Sequence, residues 1–148
     1  GEPPKVSEGR GDQLLQSTHT ALKLLQQNKN GFFLMVEGSQ VDWGGHANDI
    51  DYLTTEMIDF DKAIGAALDF AIKDGNTLVI VTGDHETGGL SLNGGDMISG
   101  KVTAKFTTKG HTGVMIPVFA YGPGAEAFGG IYENNSIFDK MMKAFGFN

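Results

Sequence analysis

At 148 residues and 40% apolar content, the chain is long enough for one domain with a sizeable core and offers no case for two. The 18 acidic side chains against 11 basic ones leave a net charge of −7, which argues against a nucleic-acid or anionic-membrane surface, and no apolar run approaches the length of a membrane span. Cysteine is absent, so disulfides and thiolate metal sites are excluded and any metal must be held by oxygen and imidazole nitrogen.

The chain opens on Gly1 without an initiator Met or a cleavable signal pattern, which suggests a chain processed or cut from something larger. Residues 1–11 are polar and rich in Pro and Gly, and predict a flexible lead-in. From residue 12 to 148 the pattern is that of a folded unit. Asp12 is a candidate N-cap for a helix carrying Leu14, Leu15, Thr18, Leu22 and Leu25, ended near Gln27 by the run Asn28 to Gly31. Phe32-Phe33-Leu34-Met35-Val36 then reads as a strand covered on both faces, and it stops at Glu37. Past His46, the positions Ile50, Leu53, Met57, Phe60, Ile64, Ala67 and Ala71 make the buried stripe of a long amphipathic helix. Glu56, Asp59, Asp61, Lys62, Asp69 and Lys73 fall on its solvent face.

Asp74-Gly75 ends that helix, and Thr77 to Thr82 follows as a second uninterrupted β-branched strand. Strand, helix, strand predicts a right-handed βαβ crossover, hence two parallel strands with their carboxyl ends at one edge. Ligands collect at that edge in open α/β sheets. Residues 90–109 suggest a hairpin, with Gly94-Gly95-Asp96 as the turn and Lys101 to Phe106 as a half-exposed strand. Pro117 places the run Val114 to Tyr121 at a sheet edge or a bulge. A short helix near Ala125 to Phe128 and a final one capped by Asn135 or Ser136, carrying Ile137, Met141 and Phe145, complete the chain.

Three of the four histidines, His46, His85 and His111, sit in Gly-rich stretches next to strand ends, whereas His19 reads as a solvated helix residue. Asp42 and His46 are four residues apart, which places both on one face of a helical turn within reach of one cation. Taken alone, that pair also fits an Asp capping the next helix beside an incidental His. Asp84-His85 is adjacent and binds one metal only on irregular backbone, as Gly83 and Gly88-Gly89 permit; His111 alone is equally a plain loop histidine. Together the three clusters point to metal, because gathered carboxylates are unfavourable without cations. Imidazole with carboxylate suits zinc, and the all-oxygen position at Glu37 suits magnesium. Two close metals would clamp the attacking and leaving oxygens of an in-line displacement, which makes phosphoryl transfer the natural reaction.

The run Phe33-Leu34-Met35-Val36-Glu37-Gly38-Ser39-Gln40-Val41-Asp42-Trp43-Gly44-Gly45-His46, then Thr82-Gly83-Asp84-His85-Glu86-Thr87-Gly88-Gly89, then Gly110-His111-Thr112-Gly113 closely resembles the metal-binding motifs of the alkaline phosphatases. The resemblance runs from about Leu14 to the end. It implies an α/β fold, the C-terminal portion of an alkaline-phosphatase-like three-layer α/β/α sandwich with a mostly parallel sheet. By resemblance, Asp42, His46 and His111 would bind a first zinc that activates the attacking water. Asp84 and His85 would bind a second zinc, and Glu37 the magnesium. Trp43 stands where the family varies, and reads either as packing or as an influence on the metal site.

The family's Ser or Thr nucleophile beside an Asp, its bridging second Asp, its magnesium-binding Thr and its phosphate-gripping Arg have no match. No Asp-Ser or Asp-Thr dipeptide occurs, and Arg10 is the only arginine. The resemblance therefore implies phosphate monoester hydrolysis through a phosphoenzyme by a parent protein, with this chain supplying most metal ligands and no catalytic residue, and inactive alone. A non-catalytic metal-binding or interaction module is the alternative from another class, and a phosphodiesterase or sulfatase the alternative within the superfamily. The expected zinc and magnesium sites beyond the first zinc are incomplete. Open strand edges favour association, for example as a homodimer, and the family implies a periplasmic or extracellular location.

Overall fold

The computed structural model describes residues 3–147. The chain divides into two compact units, Gly1–Ala67 with His85–Val114, and Leu68–Asp84 with Met115–Asn148. Its helices are α1 (Gln13–Leu25), α2 (Ser39–Ala47), α3 (Ile50–Asp74) and α4 (Ser136–Ala144). Its strands are β1 (Val79–Thr82), β2 (Glu86–Thr87), β3 (Ser91–Asp96), β4 (Lys101–Lys105), β5 (His111–Thr112) and β6 (Val118–Tyr121).

In the first unit, α1 follows Asp12 and buries Thr18 and Leu22, two positions of its predicted stripe. Residues 32–37 are extended, and burial alternates along them: Phe32, Leu34 and Val36 are half-buried, while Phe33 and Met35 are 59% and 77% exposed. One face is covered, not two, and the segment forms no ladder with any described strand. The parallel βαβ pair expected from the sequence is therefore not formed among the described residues. All three ladders, β1–β6, β2–β5 and β3–β4, are antiparallel.

The buried face of α3 is rotated from the predicted stripe. Tyr52, Glu56, Asp59, Ala63, Ala66 and Ala71 are buried, while Met57 is 50% exposed. Glu56 and Asp59, expected on the solvent face, are each only 2% exposed because Arg10 covers them. The guanidinium donates to Glu56 and, at 2.9 Å, to Asp59, and also to the Pro4 carbonyl at 3.1 Å. Burial alone would depress the Arg10 pKa, but these two carboxylates raise it and keep the group charged. Where composition predicts a flexible lead-in, Val6–Glu8 form a 3₁₀ turn and the Val6 N–H donates to Glu56 at 2.9 Å. A three-charge cluster can order a Pro/Gly-rich segment that has no apolar anchor of its own.

The β3–β4 hairpin also departs from expectation in its turn. Gly94 and Gly95 lie within β3, with a register irregularity between Leu92 and Gly94, and the turn falls at residues 97–100. A side chain at Gly95 would sit 2.4 Å from the Lys101 carbonyl, so the glycine serves cross-strand approach rather than turning. Asp96 supplies the turn chemistry, accepting from the Ile98 N–H at 2.9 Å and the Ser99 hydroxyl at 2.6 Å.

In the second unit, β1 and β6 pair from Val79↔Tyr121 to Thr82↔Val118, with Pro117 just outside the ladder. Gly122, at φ +106, lies against the Thr77 carbonyl, where a Cβ would be 2.2 Å away. A 3₁₀ turn at Ala125–Phe128 buries Phe128, whose carbonyl accepts from the Tyr132 hydroxyl at 2.9 Å. Asn135 stands at the N-cap position of α4, one of the two expected, but its side chain makes no capping hydrogen bond.

A cluster of histidines and one carboxylate

Helix α2 begins two residues after Glu37, with Gly38 at its N-cap, and three glycines let it nest. A Cβ at Gly38 would meet the Phe60 ring at 2.7 Å, one at Gly44 the Leu53 backbone at 2.8 Å, and one at Gly45 the Thr87 carbonyl at 2.8 Å. Ordinary side chains there would hold α2 away from α3 and β2. At the far end, Asn48 adopts a left-handed conformation (φ 55) as C-cap. The cap of α3 is Asp49, whose carboxylate accepts from the Tyr52 and Asp51 N–H groups at 3.1 Å. The capping alternative for Asp42 therefore does not apply: Asp42 lies inside α2, one turn before His46, and their side chains meet at 3.3 Å.

β2 and β5 bring the other two histidines to this face, with Glu86 opposite Thr112 and Thr87 opposite His111. The Glu86 carboxylate accepts from the Thr112 hydroxyl, the Gly89 N–H at 3.1 Å and the Leu90 N–H at 2.9 Å. Burial would raise its pKa, but the Thr112 hydroxyl, the Leu90 and Gly89 N–H groups and the neighbouring His85 together hold it below the ordinary value. Gly88, at φ +95, donates to the Gly110 carbonyl at 2.9 Å and accepts from the Thr107 and Thr108 N–H groups, which closes the loop around His111.

The result is one group of ligating atoms. Asp42, His85 and His111 each offer an atom within 4.8 Å of the others. His46 joins them, its Nε2 3.1 Å from His111 Nε2. His111 Nε2 is also 3.6 Å from Asp42 Oδ1, and the His85 and His111 rings stack at 3.5 Å. The His46 Nδ1–H donates to the Lys109 carbonyl at 2.5 Å, because a carbonyl can only accept. A donor set of three imidazoles and a carboxylate, with a histidine oriented by a backbone carbonyl, is suited to a divalent metal. Side-chain exposures of 32–48% at His46, Asp42 and His111 leave the group open to solvent and to a ligand.

Two predicted ligands, Glu37 and Asp84, are not among the three residues whose ligating atoms gather. Glu37 is exposed and, with Arg10, Gln13, Ser17, Ser39, Gln40 and Glu56, lines a concavity of about 200 Å³. Asp84 is exposed and is the last residue of its stretch of the second unit. Trp43 is 47% exposed with its ring 6.0 Å from that of His46, so it is not a core packing residue. His19 is exposed, as its helical position predicts. Sequence reasoning missed Thr87, whose hydroxyl touches Asp42 and His85, and the Lys109 carbonyl. Thr87 lay inside a recognised motif and its spacing to Asp42 was the available signal; a backbone carbonyl has none.

A family model for alkaline phosphatase matches residues 8–105 and 93–147. The chain belongs to the alkaline phosphatase family. Alkaline phosphatase 3 of Bacillus subtilis is 34% identical over 220 aligned positions, which take in 100% of this chain and 47% of that protein. The alkaline phosphatase of the Antarctic bacterium TAB5 is 52% identical with a TM-score of 0.90, over 98% of this chain and 44% of that one. A mutant of that enzyme, at 51% identity and a TM-score of 0.90, was solved with Mg bound in its M3 site. The chain thus has the α/β fold of its family and spans about half the length of the relatives it matches. No helix among the described residues is long and apolar enough to cross a membrane.

Proposed function

We propose that this chain is the C-terminal, metal-binding part (residues 12–148) of a zinc- and magnesium-dependent phosphomonoesterase. The carrying observation is the spacing of the clustered donor atoms. Around a tetrahedral zinc with bonds of about 2.0–2.1 Å, neighbouring ligand atoms stand roughly 3.3–3.4 Å apart. His46 Nε2 and His111 Nε2 stand 3.1 Å apart, and they approach different oxygens of Asp42, Oδ2 at 3.3 Å and Oδ1 at 3.6 Å, so the carboxylate spans both imidazoles. Asp42, His46 and His111 would hold the first zinc, Asp84 and His85 the second, and Glu37 the magnesium. When bound, zinc supplies Lewis-acid polarisation and makes water a nucleophile at neutral pH. The chain's own contribution is orientation: α2 fixes Asp42 and His46 on one face, the Lys109 carbonyl holds the His46 ring, and the β2–β5 pair carries His85 and His111 to them.

Two parts of the chemistry are supplied by residues outside this chain. No Asp-Ser or Asp-Thr nucleophile pair occurs, and Arg10 is buried against Glu56 and Asp59 rather than offered to a phosphate. The 148-residue chain alone therefore does not turn over. The second zinc and the magnesium each need a ligand from the remainder, and the whole protein works outside the cytoplasm, in the periplasm or beyond. The test is hydrolysis of p-nitrophenyl phosphate, with and without added zinc, by this chain and by the full-length protein. Full-length activity that depends on zinc and on His46, with none from the chain alone, is expected. Zinc-dependent turnover by the chain above a His46→Ala control contradicts the assignment.

A further inference from the structure

Helix α2 carries Asp42 and His46, yet little holds it in place. Its nine residues are too few for a helix that is stable on its own, and Gly38 at the N-cap offers no side-chain hydrogen bond. Its buried residues are Gln40, Gly44 and Gly45, and of these only Gln40, 6% exposed, has a side chain with which to grip a neighbour. The Gln40 carboxamide oxygen accepts from the hydroxyl of Tyr52 on α3, a residue only 9% exposed. The Lys5 ammonium lies 4.1 Å from the centre of the Tyr52 ring, and the Val6 N–H is tied to Glu56 one turn further along α3. The bond is sheltered from water, which leaves the Gln40 oxygen no equal replacement for the hydroxyl.

We propose that Tyr52 is a positioning residue, whose hydroxyl, through Gln40, fixes the rotation of α2 about its own axis and so sets where Asp42 and His46 stand relative to His111. At about 3.6 residues per turn, Gln40 and Gly44 share one face of α2, and Asp42 and His46, each two residues further on, share the opposite one. The buried face meets α3 through Gln40 on Tyr52 and through Gly44, where a Cβ would stand 2.8 Å from the Leu53 backbone. Gly44 permits the approach, but without a side chain it does little to resist rotation, whereas a hydrogen bond is directional. With side-chain tips about 5–6 Å from the helix axis, a turn of about 10° moves them by about 1 Å. Such a turn would leave Asp42 and His46 at their mutual 3.3 Å but spoil the approaches of both to His111 Nε2, 3.1 Å from His46 Nε2 and 3.6 Å from Asp42 Oδ1.

The positioning role stands on the packing of α2; its consequence for metal rests on the zinc reading, and two readouts keep them apart. Trp43, the only tryptophan, sits on α2 beside His46 and reports the helix without metal through its emission and its quenching by acrylamide. Calorimetric titration of the full chain with zinc reads affinity. Tyr52→Phe keeps the ring and loses the hydroxyl, so it should change the Trp43 signal and weaken zinc about tenfold. Gln40→Met removes the same bond from the other side and should do likewise. In the double variant neither buried polar group is left unpaired, so stability to urea should largely return while zinc binding stays weak. Leu22→Ala, buried on α1, should lose stability with both readouts unchanged. Zinc affinity that recovers with stability in the double variant, a Tyr52→Phe protein with both readouts at wild-type values, or a Leu22→Ala protein that moves them equally overturns the proposal. If circular dichroism shows Tyr52→Phe unfolded, Gln40→Met and the double variant carry the comparison. A Trp43 signal that responds to Tyr52→Phe in a chain that binds no zinc supports the role of Tyr52 and refutes the zinc reading.

Discussion

Adding one methyl group at Gly45 tests how the cluster is built. In Gly45→Ala the new Cβ would stand 2.8 Å from the Thr87 carbonyl oxygen, 2.9 Å from its Cβ and 3.0 Å from its Cγ2, against ordinary contacts of 3.4–4 Å. β2 must retreat from α2 by roughly 0.5–1 Å, and the 2.5 Å hydrogen bond from Thr87 to Asp42 stretches to about 3.0–3.5 Å, where it is weakened or lost. Overpacking of this kind costs about 1–3 kcal/mol, and a lost hydrogen bond to a charged group about 1.5–3 kcal/mol. Replacing a helical glycine by alanine returns about 1 kcal/mol. The net expectation is a loss of about 1.5–5 kcal/mol where the hydrogen bond is broken. Gly65, in the middle of α3, is the matched control: a Cβ there meets nothing within 4 Å, so Gly65→Ala should stabilise by about 0.5–1 kcal/mol. Urea unfolding of the three proteins gives both numbers. If Gly45→Ala proves as stable as Gly65→Ala, the close approach of α2 and β2 does not hold the site together.

Arg10→Met should cost about 3–5 kcal/mol in chemical denaturation, because it leaves Glu56 and Asp59, each 2% exposed, without a cation; a loss under about 1 kcal/mol would mean that water reaches the pair. Glu86 has a folded pKa below its unfolded one, so its contribution is fully present above the ordinary Glu value of about 4.3 and fades as pH falls through the folded value. Stability of wild type minus Glu86→Gln should therefore shrink below about pH 4; a difference that grows on acidification through that range would reverse the sign. In zinc titrations, His46→Ala or His111→Ala should weaken binding at least tenfold, while His19→Ala, exposed on α1, should change nothing. Equal effects of all three would mean adventitious surface binding.

Local pattern was sufficient for much of this protein. The 3.6-residue period of residues 50–74 and the β-branched run at 79–82 predict α3 and β1, and the four-residue step from Asp42 to His46 predicts a shared helical face. The motifs around Glu37, Asp84 and His111 carry the family resemblance without any fold. The strand expected at 32–37 failed on pairing, which is a property of neighbours rather than of the segment.

What tertiary structure alone decided concerns partners distant along the chain. Glu56 and Asp59 look solvent-facing by charge, and only Arg10, more than forty residues earlier, makes their burial favourable. The motif resemblance assigned His85 and Asp42 to different metals, whereas the fold brings them with His111 into one group and bridges them through Thr87. Periodicity reports which side of an element is apolar because that depends on the element's own residues. Which charges are compensated, and which hydroxyl meets which imidazole, depends on close packing between elements, here allowed by the missing side chains of Gly44 and Gly45.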